Sequence, residues 1–233
     1  MGRHRAGTVP DRARSTARTG ISGQESLFEP LGTTEVEQIE TPTEQSLFKV
    51  LFVCTGNIHR SVMGERLMRS RIRPDLPVAI RSAGTQAAVD YPIGEHSAVA
   101  LKELGADPEG HKPQQLLPVV AATADLILTA EMAHCRVVLL ETPAALRRAF
   151  SLREFARLAE KVEPLKPSDP FDVDTVRAQV LQVSAQRGLA RQATRSDDIA
   201  DPVGASLKVT RERAREIAEC VDVVIETLGL GLR

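Results

Sequence analysis

The feature that most constrains the fold of this chain is an apolar run, Leu47–Val53, interrupted only by Lys49. A strand that is apolar on both faces is typical of the interior of a parallel sheet, where helices cover the two sides. A turn containing Gly56 follows, and a helical pattern then extends from Val62 to about Ile72 and stops before Pro74. The segment therefore predicts a strand, a tight loop and a helix, which is the first unit of an α/β fold.

Strands and helices alternate along the rest of the chain. Further strands are predicted at Val78–Arg81, at Asp125–Thr129 and around Phe150. The predicted helices are Ser97–Leu104, Glu131–Leu140, Leu152–Lys161, Val173–Arg187 and an amphipathic helix that begins near Ala205. This alternation indicates a Rossmann-like α/β fold, a four-stranded parallel sheet flanked by helices on both faces. Ligands of such folds bind at the carboxyl ends of the strands, and the first strand ends at Cys54.

The beginning of the chain differs in composition from the remainder. Residues 1–20 contain five Arg and one Asp, whereas residues 21–48 contain six Glu and neither Lys nor Arg. Because periodicity is absent there, we expect a disordered leader over residues 1–46 and one folded domain over residues 47–228. Residues 156–196 exceed what a minimal fold of this class needs and are interpreted as an insertion that contains a helix.

Charge and cysteine content argue against several classes of protein. The net charge is −1, and the body of the chain is nearly balanced, so we expect no nucleic-acid partner. No apolar run reaches the ~18 residues of a membrane span, and no secretory signal is recognisable. The three cysteines predict neither a disulfide scaffold nor a zinc site. A cytoplasmic protein that requires no metal or other cofactor is expected, with an oligomeric state that the sequence does not predict.

The loop after the first predicted strand has the residue types of an oxyanion site. Its backbone N–H groups can surround a tetrahedral anion, and the following helix adds the positive end of its dipole. Gly56 and Asn57 tolerate left-handed backbone, and Arg60 can bind two phosphate oxygens at once. The combined positive field favours a nucleophilic thiolate at Cys54. The candidate phosphate-binding residues are Thr55, Gly56, Asn57, Ile58, His59 and Arg60.

The motif Cys54-Thr55-Gly56-Asn57-Ile58-His59-Arg60-Ser61 resembles the loop C-x-G-N-x-x-R-S of the low-molecular-weight protein tyrosine phosphatases. Three further pieces agree in their order along the chain: Ser82-Ala83-Gly84-Thr85, the region of His111, and the pair Asp201-Pro202. The resemblance covers about residues 47–228. It implies the fold of that family, a four-stranded parallel sheet between helices, and phosphatase activity.

The same resemblance implies a role for each matching residue. Cys54 would be the nucleophile that forms a thiophosphate intermediate, Arg60 would bind the phosphate and the transition state, and Asp201 would be the general acid. Ser61 would hydrogen-bond the thiolate. The loop would be held in shape by Asn57, Ser82 and His111. The implied substrate is a phosphorylated protein, with phosphotyrosine foremost, or a related aryl or small phosphoester.

The sequence also departs from the family pattern. His59 stands where a second cysteine is usual, and Val62 stands where proline is usual. An aromatic residue usually follows the Asp-Pro pair, where this chain has Val203, and Tyr91 is the only aromatic candidate in the variable loop. These changes leave the phosphate chemistry intact and remove aromatic surface that could clamp a phenyl ring. The sequence therefore supports phosphatase activity better than phosphotyrosine specificity.

Two alternative functions stay open at this point. A thiol-dependent arsenate reductase shares the fold and the loop, and a branch that uses a small-molecule thiol needs only Cys54. A non-catalytic phosphate-binding module is the second alternative.

Cys135 and Cys220 are interpreted as core residues, and His134 has no recognisable partner in the sequence and receives no role.

Overall fold

The computed structural model describes residues 47–168, 170–189 and 197–231. The predicted leader, residues 1–46, lies outside the described residues, as does the end of the predicted insertion, residues 190–196. The division into leader, domain and insertion therefore stays a prediction.

The described residues contain one four-stranded, wholly parallel sheet in the order β2-β1-β3-β4. Its strands are β1 (Phe48–Cys54), β2 (Val78–Gly84), β3 (Leu126–Thr129) and β4 (Ala149–Ser151). The apolar run that begins the domain thus lies between two neighbouring strands, as its double-sided hydrophobicity predicts. The predicted fold class, a parallel sheet in a Rossmann-like arrangement, is confirmed.

Helices cover both faces of this sheet. Within the described ranges they are α1 (Arg60–Arg71), α2 (Glu95–Glu103), α3 (Pro118–Thr123), α4 (Met132–Glu141), α5 (Leu152–Ala159), α6 (Val173–Ala185) and α7 (Leu207–Thr227). Alternate residues of β1 point to opposite sides, so Phe48 and Phe52 join a large core with side chains of α1, α5 and α7. Leu51 and Val53 join a smaller core on the other face, with Ala121 of α3 and other residues.

Two elements differ from the sequence-based expectation. Strand β2 continues to Gly84, because Ser82, Ala83 and Gly84 pair with the last three residues of β1. These small residues have weak strand propensity, so the pairing with β1 determines their conformation. Helix α3 was not predicted, since six residues that include Val119 and Val120 are too short to show a helical period.

Within the part of the chain that the structure describes, no helix is both long and apolar enough to cross a membrane. The same residues contain no group of three or more His, Cys, Asp or Glu side chains arranged to hold a metal ion.

Candidate active site

The nucleophile candidate lies at the carboxyl end of β1, where the sheet places a ligand site. Cys54 is the last residue of the strand, and α1 begins six positions later at Arg60. Cys54 is buried, and its Sγ lies 2.9 Å from Oγ of Ser61 in the first turn of α1. A hydroxyl at this distance can donate a hydrogen bond to the thiolate and stabilise its negative charge.

The backbone of the loop between Cys54 and Arg60, called the phosphate loop below, presents its amides rather than its carbonyls. The carbonyl oxygens of Thr55, Gly56 and Ile58 accept hydrogen bonds from N–H groups of residues 86, 88 and 94. The N–H groups of residues 56–59 form no hydrogen bond with any described residue. With the carbonyls engaged elsewhere, these amides are donors that can surround an oxyanion.

Asn57 fixes the shape of the phosphate loop. It is fully buried and has a φ of 56°, in the left-handed region that asparagine tolerates. Its Nδ2 donates hydrogen bonds to Oγ of Ser61 at 2.9 Å and to Oγ of Ser82 at 2.8 Å. His111 Nε2 donates to the Asn57 carbonyl oxygen at 2.7 Å, and the backbone N–H of Gln114 donates to Asn57 Oδ1 at 2.8 Å. The structure thus brings Ser61, Ser82 and His111 together around one residue, Asn57.

Arg60 connects the phosphate loop to two acidic side chains. Its residue is only 3% exposed, and its Nη2 donates to Asp201 Oδ2 at 2.5 Å although the two residues are 141 positions apart. Its Nη1 donates to Glu131 and, at 3.0 Å, to the carbonyl of Ile199. Arg60 Nε is buried without a hydrogen-bond partner among the described residues, so the guanidinium retains a donor for a phosphate oxygen.

The three aspartates near residue 200 have different environments. Asp197 is buried and forms two hydrogen bonds with the guanidinium of Arg157. Asp198 accepts a hydrogen bond from the backbone N–H of Met132 at 2.7 Å, at the beginning of α4. Asp201 contacts Arg60, and 39% of its side chain is exposed. Asp201 is therefore the aspartate that is close to the phosphate loop and accessible from solvent.

Two polar residues at the site were not predicted from the sequence. Glu131 contacts Arg60, and His134 lies on α4 with its Nε2 at 2.9 Å from Oγ1 of Thr55. Burial, more than any neighbouring charge, lowers the pKa of His134 from its ordinary value, so the neutral ring is favoured. Both residues follow β3, which neighbours β1, and this adjacency is the only signal that could have pointed to them.

His59, which replaces the cysteine usual in the family, packs against α2. Its Nδ1 lies 2.7 Å from Oγ of Ser97, and its ring fills the space beside Gly94, where a Cβ would overlap it. Burial is the main cause that lowers the pKa of His59, and the nearby Asp201 carboxylate partly opposes it. The neutral imidazole is thus built into the wall between the loop and α2.

The two positions named from the sequence for an aromatic clamp, Tyr91 and Val203, both lie at the protein surface. Val203, which follows the Asp-Pro pair, is 64% exposed, and Tyr91 is 67% exposed. Neither side chain is packed against the core. Val203 therefore supplies no ring, and the Tyr91 ring is not held in place by either core.

Comparison with known proteins agrees with this geometry. The sequence model of the family described as "Low molecular weight phosphotyrosine protein phosphatase" matches residues 49–187, more than half of the chain. The chain is 33% identical to the low molecular weight protein-tyrosine-phosphatase Etp of Escherichia coli K12 over 124 residues, which cover 53% of this chain and 82% of that protein. It is 27% identical to the protein-arginine-phosphatase of Geobacillus stearothermophilus over 181 residues, covering 78% of this chain and 96% of that protein.

A solved structure shows the same fold. The YwlE arginine phosphatase from Geobacillus stearothermophilus superposes with a TM-score of 0.56 and 26% identity, over 78% of this chain and 92% of that one. The matched range of the family model includes the whole phosphate loop, from Cys54 to Arg60. The chain therefore belongs to the low molecular weight phosphotyrosine protein phosphatase family and is a phosphoric monoester hydrolase.

Proposed function

We propose that this enzyme removes phosphate from phosphorylated protein side chains in two steps, through a thiophosphate on Cys54 and with Asp201 as the general acid. The observation that carries the proposal is the contact between Arg60 and Asp201. It joins the residue that ends the phosphate loop to an accessible carboxyl group far along the chain. Asp201 lies beyond the residues matched by the family model, so this contact supports its role independently.

In the first step, the Cys54 thiolate attacks phosphorus in line with the leaving oxygen. An S–P bond forms and the P–O bond to the leaving group breaks, while Asp201 transfers its proton to the departing oxygen. The amides of residues 56–59 and the guanidinium of Arg60 neutralise the charge on the equatorial oxygens. Ser61 stabilises the thiolate before attack, since its Oγ lies 2.9 Å from the sulfur.

In the second step, water attacks the thiophosphate. The Asp201 carboxylate, which lost its proton in the first step, accepts one proton from this water. A P–O bond forms, the S–P bond breaks, and the products are inorganic phosphate and the Cys54 thiolate. The enzyme returns to its starting state, and no metal or redox partner enters the balance.

The proposed substrate class follows from the relatives and from the outer part of the site. The named relatives act on phosphotyrosine or phosphoarginine in proteins, according to their descriptions. The exposed Val203 supplies no ring, and the carboxyl groups of Glu131 and Asp201 face Arg60 near the loop. We propose a phosphorylated protein as the substrate, with aryl phosphates as convenient probes.

The experiment compares Asp201→Asn with Asp198→Asn on two substrates. The phenolate of phenyl phosphate needs a proton as it leaves, whereas the 4-nitrophenolate of 4-nitrophenyl phosphate leaves with little help from an acid. Asp201→Asn is expected to lower kcat by about 10²–10⁴-fold on phenyl phosphate and distinctly less on the activated ester. Asp198→Asn is expected to change both substrates equally, because Asp198 caps the amide of Met132. Cys54→Ser is expected to abolish turnover of both.

Other outcomes would overturn the proposal. An equal loss on both substrates in Asp201→Asn would make its role structural, and a leaving-group dependence in Asp198→Asn would identify a different acid. Formation of arsenite from arsenate and a small thiol, with no release of phosphate from aryl esters, would favour the arsenate reductase. Absence of any turnover by the folded enzyme would favour a phosphate-binding module.

A further inference from the structure

A second region rich in basic residues lies behind the phosphate loop. A cavity of about 430 Å³ is bounded by α1, by β2 and by the segment 110–114. Four of its lining residues are cationic, Arg66, Arg69, Arg81 and Lys112, and Glu65 is the one acidic side chain among them. We call this the basic cavity. Cys54, Arg60 and Asp201 are not among the residues that line it.

Most of the positive charge of the basic cavity is not neutralised. Glu65 is occupied, because it pairs with Arg69 at 3.1 Å and accepts a hydrogen bond from Ser82. The side chains of Arg66, Arg81 and Lys112 form no ion pair or hydrogen bond with any described residue. In addition, Arg66 Nε is buried without a partner. The cavity therefore has three uncompensated cations and one buried donor.

Several arginines elsewhere in the described structure are compensated. Arg157 pairs with Asp197, Arg177 with Asp125, and Arg187 with Glu154, each at 2.9 Å. Three like charges around one concave region repel each other and focus a positive potential into it. A bound anion would remove this repulsion and supply the missing partner of the Arg66 Nε group.

We propose that the basic cavity binds a compact, multiply charged phosphate anion at a site separate from the active site. Its volume is larger than one phosphate group requires, so two linked groups can be held by separate cations. The lining has no Phe, Tyr or Trp and no large aliphatic residue, so it offers a ligand mainly charged and polar groups. This favours a compound such as a diphosphate over a nucleoside derivative.

The basic cavity and the phosphate loop share part of their walls. Ser82 and His111 line the cavity, and both also hydrogen-bond to Asn57. An anion in the cavity therefore lies behind the residues that hold the loop. This inference does not depend on the proposed function, because no catalytic step passes through the cavity.

The test uses inorganic pyrophosphate as the probe and isothermal titration calorimetry as the measurement. The active site is first blocked by alkylation of Cys54 with iodoacetate, which places a negative charge inside the phosphate loop. Burial raises the pKa of both Cys135 and Cys220 to about 11, so these thiols react slowly, and mass spectrometry verifies single modification. One pyrophosphate is expected to bind to the full chain in this state.

The variants locate the bound anion. Lys112→Ala and Arg66→Ala are each expected to weaken pyrophosphate about tenfold or more, the loss of one charge-assisted hydrogen bond. Arg147→Ala removes an exposed cation outside the cavity and is expected to leave the affinity unchanged. Because Lys112 is exposed, its variant keeps the test valid if Arg66→Ala fails to fold. Absence of binding, or equal affinity in Lys112→Ala and Arg147→Ala, would overturn the proposal.

Discussion

At the scale of single residues, the contact between Thr55 and His134 connects the nucleophile's neighbour to α4. His134 is 5% exposed, and its Nδ1 is buried without a partner among the described residues. The one hydrogen bond described for this ring therefore joins Nε2 to Oγ1 of Thr55. A buried histidine held in this way fixes the position of Thr55, the first residue of the phosphate loop after Cys54.

This contact predicts non-additive effects of mutation. Thr55→Val and His134→Ala should each weaken inhibition by orthovanadate by about 2–13-fold, which corresponds to one hydrogen bond of about 0.5–1.5 kcal/mol. The double variant should bind orthovanadate no more weakly than the weaker-binding of the two single variants, because each single substitution already removes the same hydrogen bond. Thr55→Ser, which keeps the hydroxyl, is the matched control. Fully additive losses in the double variant would show that the two residues act separately.

The residues of the site differ in how far the sequence could predict them. The left-handed backbone of Asn57 and the donor role of Arg60 follow from residue type and spacing within one loop. Glu131 and His134 do not, because their contacts depend on β3 lying beside β1. A sequence pattern records neighbours along the chain and does not record which strand ends meet.

At the scale of elements, the close approach of β2 to the phosphate loop depends on Gly84. A Cβ at this position would lie 2.4 Å from the carbonyl oxygen of Thr55 and 3.0 Å from the amide of Asn57. Both are backbone atoms, which cannot move aside as a flexible side chain can. The end of β2 therefore requires glycine so that the loop can rest against it.

We predict that Gly84→Ala displaces the phosphate loop and lowers kcat/KM on aryl phosphates by at least an order of magnitude. In enzymes generally, a misplacement of catalytic groups by about 1 Å can lower the rate by about 10²-fold. Gly64→Ala is the matched comparison. A Cβ at Gly64 would overlap the Phe52 ring in the core, so that variant should lose about 1–3 kcal/mol of stability while its kcat changes less. Steady-state kinetics and thermal unfolding of both variants provide the measurement.

A third substitution serves as control, and one result would contradict the prediction. Gly188 has no atom within 4 Å of an added Cβ and no left-handed backbone, so Gly188→Ala should affect neither property. If Gly84→Ala kept normal turnover at a temperature where it is folded, the loop would not rest on β2 as described.

Elements with a strong local pattern were predictable, and elements shaped by their neighbours were not. The β1 run and the α1 pattern specify their own conformation, and both occur where the sequence predicts them. The end of β2 and helix α3 are short and have weak or opposing propensities. Their conformation depends on pairing with β1 and on packing against the smaller core, which become visible only in three dimensions.

At the scale of the whole molecule, the core and all candidate catalytic residues belong to the part of the chain that begins at Leu47. We predict that removal of residues 1–44 leaves kcat/KM for phenyl phosphate unchanged. The physical reason is that each contact of Cys54, Arg60 and Asp201 described above is made within this part. Kinetics of the truncated and full-length proteins at equal concentration test the prediction.

The control is the unfolding temperature of the truncated protein. If that temperature is unchanged and activity is nevertheless lost, the leader takes part in catalysis or in substrate binding. Such a result would contradict the interpretation of residues 1–46 as a segment separate from the phosphatase domain.

The long separation between Arg60 and Asp201 has a consequence for synthesis on the ribosome. Cys54 and its phosphate loop are made early, whereas Asp201 and α7, which packs against α1, are made near the end. A nascent chain that stops before Asp201 lacks both the carboxyl group that contacts Arg60 and the helix that packs against α1. The last part of the chain to be synthesised therefore supplies both a packing partner of α1 and the acidic side chain that contacts Arg60.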